Sequence, residues 1–411
     1  MTKILVIGYV WPEPNSSAAG VHMLSLLKFY KSQGWQVEFA SPAQTTEHMV
    51  DLGEYGVTSK QITLNCTSFD EYIQKLAPDI VMFDRFMMEE QFGWRVDKYA
   101  PNAMKILDTE DLQSLRGVRH EAVKANKDFE ISKLLDSELA KREIAAILRC
   151  DLSLIVSDFE LDLLRNTFNI SEELLVHLPF LVDLSRLPDD LPSFDERQHF
   201  MTIGNFRHAP NWDSVLYLQR LWPAIKKRLP NAELHIYGSY PPKKATALNN
   251  PKTGFLIKGW ADDAIEVMKQ SRVCLSPIRF GAGIKGKFLE AMLTQTPCVT
   301  TPIGAEGMHG PLPWHGCVAH DDEAFIDAAV SLYTDAEHFH TAQSNGLALL
   351  HARHDQVSLS ARLKGKITAI RAALPQHRTQ NFYGQMLKHH TLRSTQYMSQ
   401  WIEEKNANKM R

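Results

Sequence analysis

Short runs of consecutive apolar residues recur along this chain, each closed by glycine, proline or an acidic residue, with amphipathic stretches between them. In the first half these runs are Lys3 to Gly8, Gln36 to Ala40, Asp79 to Asp84, Ala103 to Thr109, Leu152 to Val156 and Leu174 to Leu178. In the second half they are Phe200 to Gly204, Ala232 to Gly238, Phe255 to Gly259, Val273 to Pro277, Pro297 to Thr301 and Cys317 to Asp321. Continuous rather than alternating apolar character marks strands covered on both faces, as in parallel sheets. The intervening spacing predicts helices from Gly20 to about Gln33, from Asp111 to about Arg149, over Asp158 to Phe168, from about Asp213 to Arg228, and over Asp262 to Gln270, Lys285 to Thr294 and Asp335 to Leu350. The pattern is βαβ repeated, then restarted, and it predicts an α/β fold of two Rossmann-like domains with parallel sheets. Asp183 to Arg197, rich in proline and charge, is the best linker. The expected division is residues 1–182, a linker 183–198, a second domain 199–375 and a helical tail 376–411.

The most informative stretch is Ser271 to Met308, a strand, a glycine loop, a helix and a further strand. Unpaired N–H groups and the dipole at a helix start favour an anion, and Gly281, Gly283 and Gly286 leave room for a phosphate near the backbone. Lys285 and Lys287 stand where a first helical turn ordinarily prefers acids, an inversion that an anionic ligand explains. Glu290 lies three and five residues beyond the lysines, placed to turn its carboxylate toward ribose hydroxyls. Ordinary solvated lysines on a plain strand-loop-helix connection are the alternative. In the first half, Asp84, Arg85, Asp108, Glu110 and Asp111 cluster at the carboxyl ends of strands, where α/β folds bind ligands. Asp111 equally suits a helix cap. Gly-x-Gly-x-x-Gly is absent after the first strand, which argues against a dinucleotide site.

The segment PIRFGAGIKGKFLEAMLTQTPCVTTPIGAEG resembles the nucleotide-sugar site of the retaining GT-B glycosyltransferases, glycosyltransferase family 4. The resemblance implies a GT-B fold, with both sheets facing a central cleft. It implies that the loop and helix start, Gly281 through Lys287 with Ile284 among them, hold a diphosphate, and that Glu290 holds the ribose. The family's usual pair of glutamates is incomplete, because its first member would fall at Ala282. After the strand AMKILDT the family carries His-Asp; Asp111 matches the Asp, and Glu110 replaces the His. Gly20 matches the small residues of the first loop near the donor phosphates. Gly204 and Arg207 in TIGNFRHAPN match a phosphate-facing segment, with Asn205 where many members have arginine. Gly259 and Trp260, followed by Asp262 and Asp263, match the loop that reads the base. The final helical segment, Phe382 to Trp401, is expected to cross back to the first domain.

By the same resemblance the chain moves a sugar from a UDP- or GDP-sugar to a hydroxyl of a glycan, lipid-linked or other acceptor, with retention, in surface glycan or glycoconjugate synthesis. Glu110, Asp111 and Lys285 are its catalytic candidates, Asp84, Arg85 and Asp108 its acceptor-side candidates, and neither metal nor cofactor is expected besides the donor. Two alternatives are a catalytically silent nucleotide-sugar-binding partner and a sugar-nucleotide epimerase.

Composition narrows the rest. A chain of 411 residues suits two domains of roughly 180 each. Lys and Arg total 45 against 48 Asp and Glu, so no nucleic-acid partner is expected. The five cysteines form no Cys-x-x-Cys pair and read as reduced residues of a cytoplasmic protein. MTKILVIGY reads as a first strand rather than a signal peptide. No apolar run approaches the roughly 20 residues that span a bilayer, so the protein is expected to be soluble, with at most peripheral contact at the inner membrane face. His351, His354, His389 and His390 lack metal-ligand spacing and are expected at the surface.

Overall fold

The computed structural model describes residues 1–188 and 190–410, with side chains except at 186, 390–393, 407, 409 and 410. Two parallel sheets dominate it. The first holds β1 (Lys3–Ile7), β2 (Gln36–Ser41), β3 (Thr58–Gln61), β4 (Ile80–Asp84), β5 (Met104–Asp108), β6 (Leu152–Ile155) and β7 (Leu175–His177), in the order β3-β2-β1-β4-β5-β6-β7. The second holds β8 (Gln198–Ile203), β9 (Leu234–Tyr237), β10 (Phe255–Gly259), β11 (Ser271–Ser276), β12 (Cys298–Thr300) and β13 (Gly316–Val318), in the order β10-β9-β8-β11-β12-β13. Each order reverses at its first strand, β1 or β8. That reversal opens a crevice at the carboxyl ends of the strands, where such sheets take ligands.

Strand periodicity places the cores. Leu5 and Ile7 face one apolar cluster and Ile4 and Val6 the other, so both sides of the first sheet are buried. Phe200 and Met201 divide in the same way between the two sides of the second sheet. The strand β3 has no apolar residue and is exposed throughout, so it carries no hydrophobic signal; its pairing with β2 alone makes it a polar edge. The first helix is Ala18–Ser32, starting two residues before the expected Gly20 because the Ser17 hydroxyl accepts the Gly20 N–H. The helical stretch expected from Asp111 to Arg149 is three helices, Gln113–Lys124, Ile131–Leu135 and Glu138–Arg149, interrupted after Asn126, whose φ is 51°.

The chain leaves the first unit at Val182 and returns beside it. The Val182 N–H donates to His354 O at 2.9 Å and the Gln356 N–H to Val182 O at 3.0 Å. The helix Gln356–Ala372 then sets Leu359, Leu363, Ile367 and Ile370 into the same cluster as Ile4 and Val6. The return therefore falls ahead of residue 375, because the apolar stripe of this helix matches the first sheet. The last helix, Phe382–Met410, lies against Phe86–Tyr99, where Arg95 donates to Ser399 Oγ at 3.3 Å and pairs with Glu403 at 3.2 Å. At the crossing His354 is 1% exposed, with Nδ1 3.2 Å from Phe180 O, which corrects its expected surface place. Burial pushes its imidazole down to about 4. His351 and His389 are exposed, and the side chain of His390 lies outside the described residues. All five cysteines are free thiols. Among the described residues no helix is long and apolar enough to cross a membrane.

Candidate active site

The second-sheet wall of the cleft is built around the helix Gly286–Leu293. Its N-cap residue is Lys285, in extended conformation, and no side chain caps it. The N–H groups of Gly286 and Lys287 are thus the free donors of this helix start, while Phe288 N–H turns back to Lys285 O at 3.0 Å. A Cβ on Gly286 would stand 2.5 Å from Ala18 Cβ, so glycine lets the first-unit helix approach. Lys287 Nζ donates to Asn211 Oδ1 at 3.0 Å, and burial lowers its pKa. Beside it the Glu290 carboxyl is raised by burial, with Lys287 acting against the shift. Lys285 Nζ donates to Gly283 O at 3.1 Å. Burial brings it down to about 8, opposed by Glu306.

The other predicted donor residues scatter around this point. The Arg207 side chain is exposed and lies 3.6 Å over the Tyr240 ring. Asn205 Nδ2 reaches Ser16 Oγ of the first unit at 3.5 Å. Gly204 admits the Asn211 side chain, which a Cβ would meet at 2.6 Å. Gly259 has φ 74°, and Trp260 after it stacks on His48 of the first unit with centroids 4.4 Å apart. Ile284 is buried in the apolar cluster with Phe180 and Phe288, so it supports the loop from behind. Gly20 packs tightly on the Glu13 backbone, which a Cβ would meet at 2.4 Å.

The first-sheet wall is acidic. Asp84 and Asp108 end β4 and β5 with 4% and 0% exposure. The residues just beyond, Arg85 and Glu110, adopt φ of 70° and 61°. Left-handed backbone at a non-glycine residue is strained and clusters at functional sites. Neighbouring groups hold it here: Arg85 N–H donates to Asp108 O at 2.7 Å and Glu110 N–H to Asp108 Oδ1 at 3.4 Å. Tyr9 N–H donates to Asp84 Oδ2 at 2.9 Å. Burial, then Asp108, pushes the Glu110 carboxyl up to about 8. Behind these acids sits His22, 0% exposed, its Nε2 3.4 Å from Asp108 Oδ2 and its ring stacked on Phe180 at 4.7 Å. Burial lowers its pKa, but Asp108 with Glu110 and Asp84 outweighs it and the net shift is upward. Asp111 is no cap: it pairs with Arg116, while Glu143 accepts the Gln113 and Ser114 N–H groups at 2.7 and 2.9 Å.

The two walls meet at the glycine loop. A Cβ on Gly283 would stand 2.9 Å from Asp111 Cβ and 3.2 Å from Glu110 O, and its φ is 60°. Its N–H donates to Glu160 Oε1 at 2.8 Å, so this group faces the first unit and not the open cleft. The carbonyl of Gly281 accepts from Arg119 at 2.9 Å, and Arg119 also holds Glu306 in a bidentate pair at 2.6 and 2.9 Å. The donors open to the cleft are therefore Gly286, Lys287 and the lysine ammonium groups. His22, Arg119, Glu160 and His208 escaped the sequence reading. His208 is open to the cleft, yet desolvation by surrounding protein, reinforced by Arg116, holds it down to about 4. Only for His22 was there a signal, a polar residue on the buried face shared with Leu26 and Phe29.

Among the described residues one His/Glu cluster lies elsewhere, at the amino ends of β8 and β9, where His199, Glu233 and His235 come within 4.8 Å. His235 Nε2 meets Glu233 Oε2 at 2.8 Å, and His199 Nδ1 accepts the Glu233 N–H at 3.3 Å. That bond leaves the proton of a neutral His199 on Nε2, so the trio is satisfied by hydrogen bonds.

Residues 197–335 match the family model described as Glycosyl transferases group 1. No curated protein sequence matches significantly. Among solved structures, sucrose-phosphate synthase from Thermosynechococcus elongatus superposes with a TM-score of 0.69 at 16% identity, covering 91% of this chain and 100% of that one. Anabaena HepE in complex with UDP and glucose gives 0.67 at 13% identity over 90% of this chain and 100% of its own. WaaG, a glycosyltransferase involved in lipopolysaccharide biosynthesis, gives 0.58 at 12% identity over 88% and 98%. The second unit thus carries a group 1 glycosyltransferase domain in a chain of GT-B fold, and the protein is an enzyme of the glycosyltransferase class.

Proposed function

We propose that this enzyme transfers a sugar from a nucleoside diphosphate sugar, of the UDP or GDP class, to an acceptor hydroxyl of a glycan or glycoconjugate, with retention of anomeric configuration. The observation that carries this reading is the uncapped start of the helix Gly286–Leu293, flanked by Lys285 and Lys287, just beyond the Gly283 turn that abuts Glu110 and Asp111 of the acidic wall. Preorganised N–H groups and ammonium groups stabilise the charge that develops on a departing diphosphate without reorganising during the reaction. Lys287 and the helix start receive the phosphates, Glu290 the ribose and the Gly259–Trp260 loop the base. Lys285, brought down to about 8 by burial, still carries its charge at neutral pH. Glu110, pushed up to about 8, has the proton affinity that suits a group taking the acceptor hydroxyl's proton near neutral pH. The UDP and glucose held by HepE support this donor class, and WaaG's role in lipopolysaccharide biosynthesis supports a surface glycan acceptor. Contact with a membrane surface, where a lipid-linked acceptor resides, belongs to the same proposal.

A silent nucleotide-sugar-binding partner is the second reading, favoured by the commitment of the Gly283 N–H to Glu160. Release of the nucleoside diphosphate decides between them. The purified protein is incubated with UDP-, GDP- and ADP-sugars and a panel of acceptors. Release that depends on both donor and acceptor is expected; binding without release supports the silent partner, release without acceptor a hydrolase, and conversion of the donor alone into an epimeric nucleotide sugar an epimerase.

A further inference from the structure

Glu160 belongs to the first unit, on the helix Asp158–Asn166, yet one of its oxygens serves both halves of the molecule. Oε1 accepts the Leu112 N–H at 3.0 Å and, across the cleft, the Gly283 N–H at 2.8 Å. The side chain is 0% exposed, and among the described residues its buried Oε2 has no hydrogen-bond partner. Gly283 passes the connection on, because its carbonyl accepts from Lys285 Nζ at 3.1 Å. Two hydrogen bonds thus link a first-unit carboxyl to the lysine on the opposite wall. The same turn is held on either side: His120 stacks on Phe280 with centroids 4.2 Å apart, and Arg119 holds the Gly281 carbonyl and Glu306. Asp111 and Glu110 close against Gly283 so tightly that no Cβ fits.

We infer that Glu160 is a positioning residue: it ties the Phe280–Ile284 turn of the second unit to the first, and so sets Lys285 opposite the acids only while the two units are in contact. The catalytic consequence rests on the proposed function; the tie itself does not. A buried carboxyl with an unpaired oxygen is costly to keep for folding alone. The Leu112 bond, however, is a contribution to the start of a first-unit helix, and the test must separate the two roles. Glu143 provides the control, because it holds the Gln113 and Ser114 N–H groups of that same helix without touching the loop.

Hydrogen exchange of the ligand-free protein is followed over the peptide spanning Phe280 to Lys285 in the parent, Glu160→Leu, Glu160→Gln and Glu143→Ala. The tie predicts exchange faster by about tenfold or more in Glu160→Leu, with protection kept in Glu160→Gln, whose amide oxygen still accepts both N–H groups, and in Glu143→Ala. If Glu160→Leu does not fold, Glu160→Asp, too short to reach Gly283, takes its place with the same expectation. In parallel, Glu160→Leu should lose turnover by on the order of a hundredfold while its nucleoside diphosphate Kd stays within about threefold, because misplacing a catalytic group affects kcat and not ground-state binding. Unchanged loop protection in Glu160→Leu, or equal loss in Glu143→Ala, overturns the inference. Should the parent bind none of UDP, GDP or ADP, the proposed function fails instead, and the exchange result still decides the tie.

Discussion

The two walls of the cleft are made in opposite ways. The second-unit wall draws its donors from a few consecutive residues, Lys285 to Glu290, at one helix start. The first-unit wall gathers Asp84, Asp108 and Glu110 from neighbouring strand ends, puts His22 behind them from another helix, and locks the set with left-handed backbone at Arg85 and Glu110. One wall is basic and local, the other acidic and assembled. A departing diphosphate needs positive charge already in place, which a helix start provides cheaply. Handling a hydroxyl proton near neutral pH needs a carboxyl whose proton affinity is raised, and that takes burial and neighbouring acids brought from several segments.

Substitutions on each wall test this contrast, beginning with the largest expected loss. Lys285→Ala should lower kcat by about a hundred- to a thousandfold, the usual cost of removing one preorganised donor from a developing anion, measured as diphosphate release at saturating donor. Glu110→Gln should cost about a hundredfold and abolish the rise of kcat/KM with pH toward 8. In the parent that rise should turn over above about pH 8, as Lys285 loses its proton. Glu290→Ala, on the binding side of the basic wall, should weaken nucleoside diphosphate affinity by about tenfold and leave kcat nearly unchanged, as measured by calorimetry and steady-state kinetics. Trp260→Ala should have the smallest effect, about three- to tenfold in nucleotide affinity, since it removes one stacking surface.

The buried acids also shape stability. Glu110 and Glu160 are raised to about 8 and Glu143 to about 7, chiefly by burial. The native state therefore holds protons that the unfolded chain releases near pH 4.5, and stability falls as pH rises toward 8. Buried His177, His315 and His354 are held down to about 4, 3 and 4, so below pH 6.5 the unfolded chain binds protons the native state refuses, and stability falls with acid. The two sets of groups oppose each other between about pH 4.5 and 6.5, so Tm should peak within that range and fall from pH 6.5 to 8, a fall that Glu143→Gln should flatten; a Tm that climbs steadily from pH 6.5 to 8.5 would contradict these buried protonation states.

The same contrast explains what the sequence revealed. Continuous apolar strands and glycine-ended turns are local signals, so both sheets were legible apart from β3, which has no apolar residue to report it. The Lys287 and Glu290 pair was legible because the i, i+3 spacing of a helix brings it together, whereas Lys285, at the N-cap, faces Glu306 and Asp111 instead. Asp84 and Asp108 were legible as strand ends. Glu160, Arg119 and His22 were not, since their importance comes from partners 123, 187 and 86 positions away in the chain. Glu306 likewise acquired a role only once Arg119 was found beside it. The Gly281 and Gly283 backbones, read as a phosphate cradle, turn instead toward the first unit, because a tertiary carboxyl and guanidinium compete for the same polar groups.

The central claim is that the basic wall receives a nucleoside diphosphate. Calorimetric titration of UDP, GDP and ADP into the parent, Lys287→Ala and Glu290→Ala, each confirmed folded by its Tm, tests it most directly. One nucleotide should bind the parent preferentially and both variants at least about tenfold more weakly. Equal affinity in all three proteins, or no binding by the parent, would contradict the claim.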